Sequence, residues 1–323
     1  MSGGWARRSW IACGPAAGDA MVIVAEELAQ RLRGRMRGTV LAEARLDRYT
    51  TFRIGGPATL LATPLDREDV KVALAFARAE GLPVHVLGGG SNTLVRDGGL
   101  RGMAIHLNAL QTLERRGEMV EAAAGVRVSR LLAFCCRHGL AGLEVLSGIP
   151  GTLGGAVWGN AGAWGGSVAD CLASVELVAP SGEESRVLRD AVPFRYRSSG
   201  LPAGSVIVQA GFRLAVDDAV AIRRRISGYL VRRNASQPVE FRSAGSIFKN
   251  PPGDFAGRLV EQVGLKGTRI GNAMISAKHG NYIVNMGGAR AADVLALAAL
   301  AQERVRAATG IALELEIRVV GEK

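Results

Sequence analysis

Two glycine-dense tracts hold the residues best suited to chemistry through the main chain: Leu87-Gly88-Gly89-Gly90-Ser91-Asn92-Thr93 and Ser147-Gly148-Ile149-Pro150-Gly151-Thr152-Leu153-Gly154-Gly155. Glycine at this density exposes backbone N–H groups and lets the chain approach a ligand closely, which is how a protein cradles a pyrophosphate. The pair is read as a two-sided clamp on a phosphate-bearing cofactor. The first tract gives Gly88-x-Gly90 but puts Thr93 where a Rossmann fingerprint needs its third glycine, and the absence of Gly-Lys-Ser and Gly-Lys-Thr excludes a Walker-type ATP loop. A glycine cluster is also the mark of a plain turn or close-packed crossing. The second tract, however, continues through Trp158-Gly159-Asn160-Ala161-Gly162-Ala163-Trp164-Gly165-Gly166, a composition poor for helix and strand alike, so a ligand-wrapping loop is expected.

These tracts need elements to hold them. Periodicity predicts a helix over Val24 to Arg35, a strand around Thr59 to Ala62, and a helix capped by Asp66 that buries Val70, Ala73, Leu74 and Ala77 before stopping near Gly81. Strand Val84 to Leu87 then feeds the first glycine tract, placing the loop at a strand's carboxyl end. A helix from Val128 to Gly139 and short strands near Met103–Leu107, Met119–Ala123, Val175–Val178 and Val206–Arg213 complete an N-terminal region, and the composition changes near residues 213–220. Helices over Asp217–Asn234, Asp254–Val263 and Ala291–Ala308, with strands at Asn281–Asn285 and Leu313–Val319, complete an α+β C-terminal domain. The expected division is an extension over 1–20, a cofactor domain over 21–214 in subdomains 21–95 and 96–214, and a substrate domain over 215–323.

A chain of 323 residues, 48% hydrophobic and 21% charged, is globular and too long for one compact core. No apolar run is long enough to span a bilayer. The stretch after Arg7-Arg8 is short and broken by Gly14 and Pro15, which fits a disordered extension better than a signal peptide, with Met21 as an alternative start. Cys13, Cys135, Cys136 and Cys171 have no metal-binding spacing, so neither zinc nor a disulfide framework is expected, and a reducing cytoplasm fits. The net charge of +11 raises nucleic acid as a partner, but the only dense patches, Arg223-Arg224-Arg225 and Arg232-Arg233, read as a solvated helix face. Lysine is scarce, yet Lys249, Lys266 and Lys278 crowd one region, a hint of a site.

In order along the chain, Tyr49-Thr50-Thr51-Phe52-Arg53-Ile54-Gly55-Gly56-Pro57, Gly88-Gly89-Gly90-Ser91-Asn92, Gly148-Ile149-Pro150-Gly151-x-x-Gly154-Gly155, Tyr196-Arg197-x-Ser199, Gly245-Ser246-Ile247-Phe248-Lys249-Asn250-Pro251 and Glu316-Ile317-Arg318 closely resemble the UDP-N-acetylenolpyruvoylglucosamine reductases. The resemblance covers about residues 45–321. It implies an α+β fold with a domain of the vanillyl-alcohol-oxidase (PCMH) type holding FAD non-covalently, a separate substrate domain, NADPH as co-substrate, and a monomer acting in cytoplasmic peptidoglycan precursor synthesis. Too few positions separate Arg197 from Ser246 for the tyrosine-bearing loop of the family's longer branch, so the chain resembles the shorter branch.

By match to the family's motifs, Arg197 takes the substrate carboxylate, Glu316 stands beside the same charge, and Ser246 donates the proton. For the cofactor the resemblance implies Arg53, Ile54, Gly55, Leu87, Gly88, Gly89, Gly90, Ser91, Asn92, Thr93, Ser147, Gly148, Ile149, Pro150, Gly151, Gly154, Gly155, Asn160 and Gly162; for the substrate, Tyr196, Lys249 and Asn250. Taken singly, these residues have plainer readings: Ser246 as a turn or cap after Gly245, Glu316 as an exposed strand residue sharing a face with Glu314 and Arg318, Arg53 as a surface arginine, and Lys249-Asn250 as a solvated turn. His279 reads as structural. Two other functions stay open on the sequence: an oxygen-using flavin oxidase acting on another alcohol or sugar, and a basic nucleic-acid-binding protein.

Overall fold

The computed structural model describes the chain from residue 15 to residue 323, with side chains from residue 22. Most of the expected N-terminal extension, and Cys13, lie outside the described residues. Helix α1 (Pro15–Arg33) begins earlier than the apolar spacing suggested and buries Ala25, Ala29 and Leu32. It packs on a four-stranded sheet ordered Thr39–Arg45, Pro57–Thr63, Leu100–His106, Val84–Leu87, in which the first pair is antiparallel and the remaining two are parallel. Helix α2 (Arg67–Ala79) covers the sheet and buries Val70, Ala73, Leu74 and Ala77, as the spacing predicted. Asp66 caps it by accepting the Asp69 N–H at 3.0 Å. Asp69, itself buried, accepts N–H bonds from Arg37, Gly38 and Leu65, tying the turn before the sheet to the helix that covers it.

The second subdomain is a five-stranded antiparallel sheet ordered Glu184–Leu188, Leu172–Val178, Val206–Arg213, Met119–Ala123, Leu113–Arg116. Helix α3 (Val128–Arg137) and the short α4 (Leu153–Trp158) pack on it. One core runs through both subdomains, joining Leu60 and Ile105 to Val120, Leu131, Val175 and Phe212. Helix α4 corrects the expectation of an irregular ribbon. Only a residue without a side chain at position 154 lets the backbone lie this close to the sheet: a Cβ on Gly154 would meet the Ala124 Cβ at 2.9 Å, while its N–H reaches the Ala124 carbonyl at 2.9 Å.

Helix α5 (Ala219–Ser236) lies against α3 and the turn at Glu144–Leu146, where Arg225 pairs with Glu144. The last part of the chain sets α6 (Ala256–Gln262) and α7 (Ala291–Thr309) against a three-stranded sheet. Its core of Phe248, Leu259, Ile283, Leu297 and Ile317 also takes in Phe52, Ile54 and Leu94 from the first subdomain. Two further seams join these regions. Asn285 donates to the Phe52 carbonyl at 2.9 Å, and strand Arg318–Val320 pairs in parallel with Thr93–Val95, immediately after the first glycine tract. The pairing continues to the end of the chain, with the Gly98 N–H on the Glu322 carbonyl and the Glu322 N–H on the Gly99 carbonyl.

The alternation over Leu313–Val319 predicted a full strand, but only its end forms one. Residues 314–316 instead run extended beside 247–249, with the Lys249 N–H on the Glu314 carbonyl, the Glu316 N–H on the Ile247 carbonyl and a single bridge at Phe248–Leu315. Local alternation shows that the segment is extended, whereas the partner on each side is a long-range choice.

Candidate active site

The two glycine tracts touch. A Cβ added to Gly88 would stand 2.3 Å from Thr152 Oγ1, one on Gly89 would stand 2.7 Å from the Gly151 Cα, and Ser91 Oγ donates to the Pro150 carbonyl at 2.9 Å. Gly90 has φ +60°, and a side chain there would run into the Tyr49 carbonyl. Between the tracts and the C-terminal domain lies a cleft of about 400 Å³ lined by Leu87 to Thr93, Ile149, Pro150, Gly154, Gly155 and Gly162 on one side. Thr152 also lines it, buried, with a hydroxyl that has no partner in the protein. Main chain laid bare on two converging tracts, with an unpartnered buried hydroxyl between them, is a donor set that fits a flavin dinucleotide's diphosphate.

Other residues expected at the cofactor shape the tracts and do not line the cleft. Ile54 is buried in the C-terminal core, and Gly55 packs against Val95 at φ +144°. Ser147 Oγ donates to the Glu144 carbonyl at 2.6 Å. Gly148 and Gly151 adopt positive φ, of 76° and 112°, as the tract turns. Asn160 holds the neighbouring turn through the Arg195 carbonyl at 3.1 Å. Arg53 is exposed, and its guanidinium donates to the Arg48 carbonyl at 2.8 Å.

At the far end of the cleft the lining changes from main chain to side chains. Arg197, in a tight turn at φ +56°, points inward, donates to the Gly162 carbonyl at 3.2 Å, and sets Nε 2.7 Å from Glu316 Oε1. That last contact is an ion pair without hydrogen-bond alignment, since Nε is otherwise unpartnered. Glu316 is held from behind, its carbonyl accepting from Asn92 Nδ2 at 3.1 Å. Burial raises the Glu316 carboxyl above its usual range, against the pull of Arg197 and Lys249. Ser246 lines the same cleft. It does not cap a helix; it follows Gly245 at φ +76° in an extended stretch bridged to Tyr282 and pinned at Phe248 by both ends of the Asn281 amide.

Glu314 shares a side of its segment with Glu316 and Arg318, as the alternation implied, though only the last two line the cleft. Glu314 instead pairs with Lys249 at 3.1 Å and lines an open adjoining hollow of about 570 Å³ with Tyr196, Lys249 and Asn250. The other two clustered lysines lie elsewhere: Lys266 pairs with Glu261, and Lys278 donates to the Asn234 carbonyl. His279 accepts the Asn281 N–H on Nδ1, and burial lowers its pKa. Cys135 is buried, which pushes its thiol up to about 12.

The cleft also holds side chains that the sequence reading did not assign to the site, Thr152, Tyr282 and Arg233 among them. Thr152 fell on an unassigned position between glycines, and Tyr282 inside a predicted strand. Arg233 was read as part of a solvated face, but the last turn of α5 docks on Gly148 and brings this guanidinium into the cleft, where burial lowers its pKa. No local pattern separates Arg233 from Arg232; only the docking of the helix does.

Comparison with known proteins agrees with this architecture. Residues 58–187 match the family described as FAD binding domain, and the cleft with its bare tracts belongs to that domain. That match and the site together define a flavin-binding class of protein, built on an FAD-binding domain. Residues 237–320 match the C-terminal domain of UDP-N-acetylenolpyruvoylglucosamine reductase. A protein of that name from Geobacter metallireducens is 46% identical over 299 residues, covering 92% of this chain and 99% of the relative. One from Moorella thermoacetica is 44% identical over 91% of this chain and 98% of its own length. The crystal structure of the UDP-N-acetylenolpyruvylglucosamine reductase from Thermus caldophilus superposes with a TM-score of 0.76 at 41% identity, covering 88% of this chain and 99% of that one. The chain belongs to the UDP-N-acetylenolpyruvoylglucosamine reductase family. Among the described residues, no helix is long and apolar enough to cross a membrane.

Proposed function

We propose that this protein, a cytoplasmic monomer, catalyses the NADPH-dependent reduction of the enolpyruvyl group of UDP-N-acetylglucosamine enolpyruvate to UDP-N-acetylmuramate, a step of peptidoglycan precursor synthesis. The observation that carries the reading is that Arg197, Glu316 and Ser246, from three separate segments, line one cleft with both glycine tracts. The exposed main chain of Gly88 to Thr93 and of Ile149 to Gly155, with the Thr152 hydroxyl, would hold the FAD diphosphate. FAD, when bound, supplies the hydride chemistry that links nicotinamide to the enolpyruvyl double bond.

The protein's own groups supply position and charge. Hydride addition at the terminal carbon leaves negative charge on the adjacent carbon and its carboxylate, so a cation and a proton donor are needed there. The Arg197 guanidinium offers a carboxylate two parallel N–H bonds and is already ordered by Gly162 and Glu316. Burial raises the Glu316 pKa, which eases uptake of a proton there when the substrate carboxylate arrives. Ser246 gives its hydroxyl proton to the adjacent carbon; so weak an acid serves only against a strongly basic carbon in a preorganised, partly dry pocket. Lys249, Asn250 and Tyr196 line the hollow that takes the nucleotide-sugar's phosphate and amide groups.

An absorption experiment tests the reading. NADPH bleaches the flavin band, and the enolpyruvyl sugar nucleotide restores it. In Ser246→Ala the bleaching persists and the restoration falls to a slow residual rate; if both half-reactions fall together, Ser246 is structural.

A further inference from the structure

Ser246 has a neighbour that the proposed chemistry leaves unused. The antiparallel bridge between Ser246 and Tyr282 sends their side chains from the same face, into the cleft that both line. The phenol is buried; His279 packs edge-on to its ring at 5.0 Å, and Arg233 reaches the cleft from α5. Arg233 has no carboxylate partner among the described residues, which is unusual for a partly buried guanidinium in a cleft holding Glu316.

Building on the proton-donor role of Ser246, we propose that Tyr282 is a positioning residue that orients the Ser246 hydroxyl and restores its proton, with the Arg233 guanidinium stabilising the charge left on the phenol oxygen. The proton balance closes without a further reactant. As the substrate carbon's electron pair forms a C–H bond, the Ser246 O–H bond breaks; the Tyr282 O–H bond breaks as a new Ser246 O–H forms; and solvent returns a proton to the phenolate.

The electrostatics suit this order. Burial raises the Tyr282 pKa, and Glu316 adds to that, while Arg233 and Ser246, which line the same cleft, pull the other way. The phenol thus holds its proton at rest and is available as a donor, and the cation beside it is placed for the moment the proton leaves. Burial lowers the pKa of His279, which packs edge-on to the ring.

The test uses the full-length flavoprotein and rapid mixing. Tyr282→Phe removes only the oxygen, so flavin reduction by NADPH, which needs no proton at the substrate carbon, reports that the fold and cofactor are intact. Reoxidation by the enolpyruvyl sugar nucleotide is expected to slow roughly 10- to 100-fold with a larger solvent deuterium isotope effect, while the apparent KM changes little. Arg233→Gln, which keeps the phenol, gives a smaller slowing of the same step. Adding Tyr282→Phe to Ser246→Ala produces no further loss, because both act on one proton. Unchanged reoxidation and isotope effect in Tyr282→Phe, or an undiminished further loss in the double variant, overturns the relay and leaves Ser246 as donor. Normal reoxidation in Ser246→Ala alone overturns the donor reading beneath it.

Discussion

Along the glycine tracts the cleft wall is largely main chain that at Gly88, Gly89 and Gly90 tolerates no side chain, whereas at the other end of the same cleft it is a set of charged and hydroxyl side chains brought from residues 197, 233, 246, 282 and 316. The first surface works by what has been left out, and its geometry is fixed by one tract lying on the other. The second works by what has been brought in, and each member is held by a contact made elsewhere: Arg197 by Gly162, Glu316 by Asn92, Ser246 by the clamp of Asn281 on Phe248. A cofactor that stays bound suits the rigid surface, and a substrate that must come, react and leave suits the adjustable one.

That contrast breaks in graded ways. Gly89→Val forces the tracts apart, because its first carbon would already stand 2.7 Å from the Gly151 Cα; the expected result is a folded but colourless protein, read from its absorption spectrum. Arg197→Lys keeps the charge but loses the planar fork, so kcat/KM should fall about 100-fold with flavin content unchanged, as steady-state assays on the yellow protein would show. Retained turnover would remove Arg197 from the reacting end.

Asp69→Ala tests the scaffold, not either surface. It strips acceptors from the Arg37, Gly38 and Leu65 N–H groups and should cost about 2 kcal/mol or more by denaturant unfolding. Burial works to raise this carboxylate's pKa, but the three N–H bonds win and lower it. The stabilisation it gives is therefore present above the unfolded value near pH 4 and fades as pH falls through the lowered folded value, so the variant should lose less stability on acidification than the parent. The smallest effect belongs to Arg53→Ala: with its guanidinium turned to the Arg48 carbonyl on the exposed surface, flavin affinity should change less than about threefold by fluorescence titration.

The same contrast explains what could be read in advance. Features set by neighbours in sequence were legible: the Asp66 cap and the stripe Val70, Ala73, Leu74 and Ala77, the strand ending at Leu87, and the glycines themselves, whose absent side chains are visible in the letters. Features set by docking were not. Arg233 looks like every other arginine on α5 until the helix end meets Gly148, and the Thr152 hydroxyl gains its meaning only when Gly88 arrives beside it. The alternating stretch before Arg318 showed an extended chain but not that its partners would be 247–249 on one stretch and 93–95 on the next. Arg197, Ser246 and Glu316, which line one cleft, were named by motif; taken singly, Ser246 reads as a turn or cap and Glu316 as an exposed strand residue.

The strand Arg318–Val320 beside Thr93–Val95 also bears on the order of biosynthesis. The amino-terminal third leaves the ribosome long before its final hydrogen-bonding neighbour has been translated, so the first tract lacks one flank while most of the polypeptide is being made. Loading of the flavin is then expected to wait for that strand, and chains cut off before Arg318 should remain colourless however well their earlier domains have collapsed.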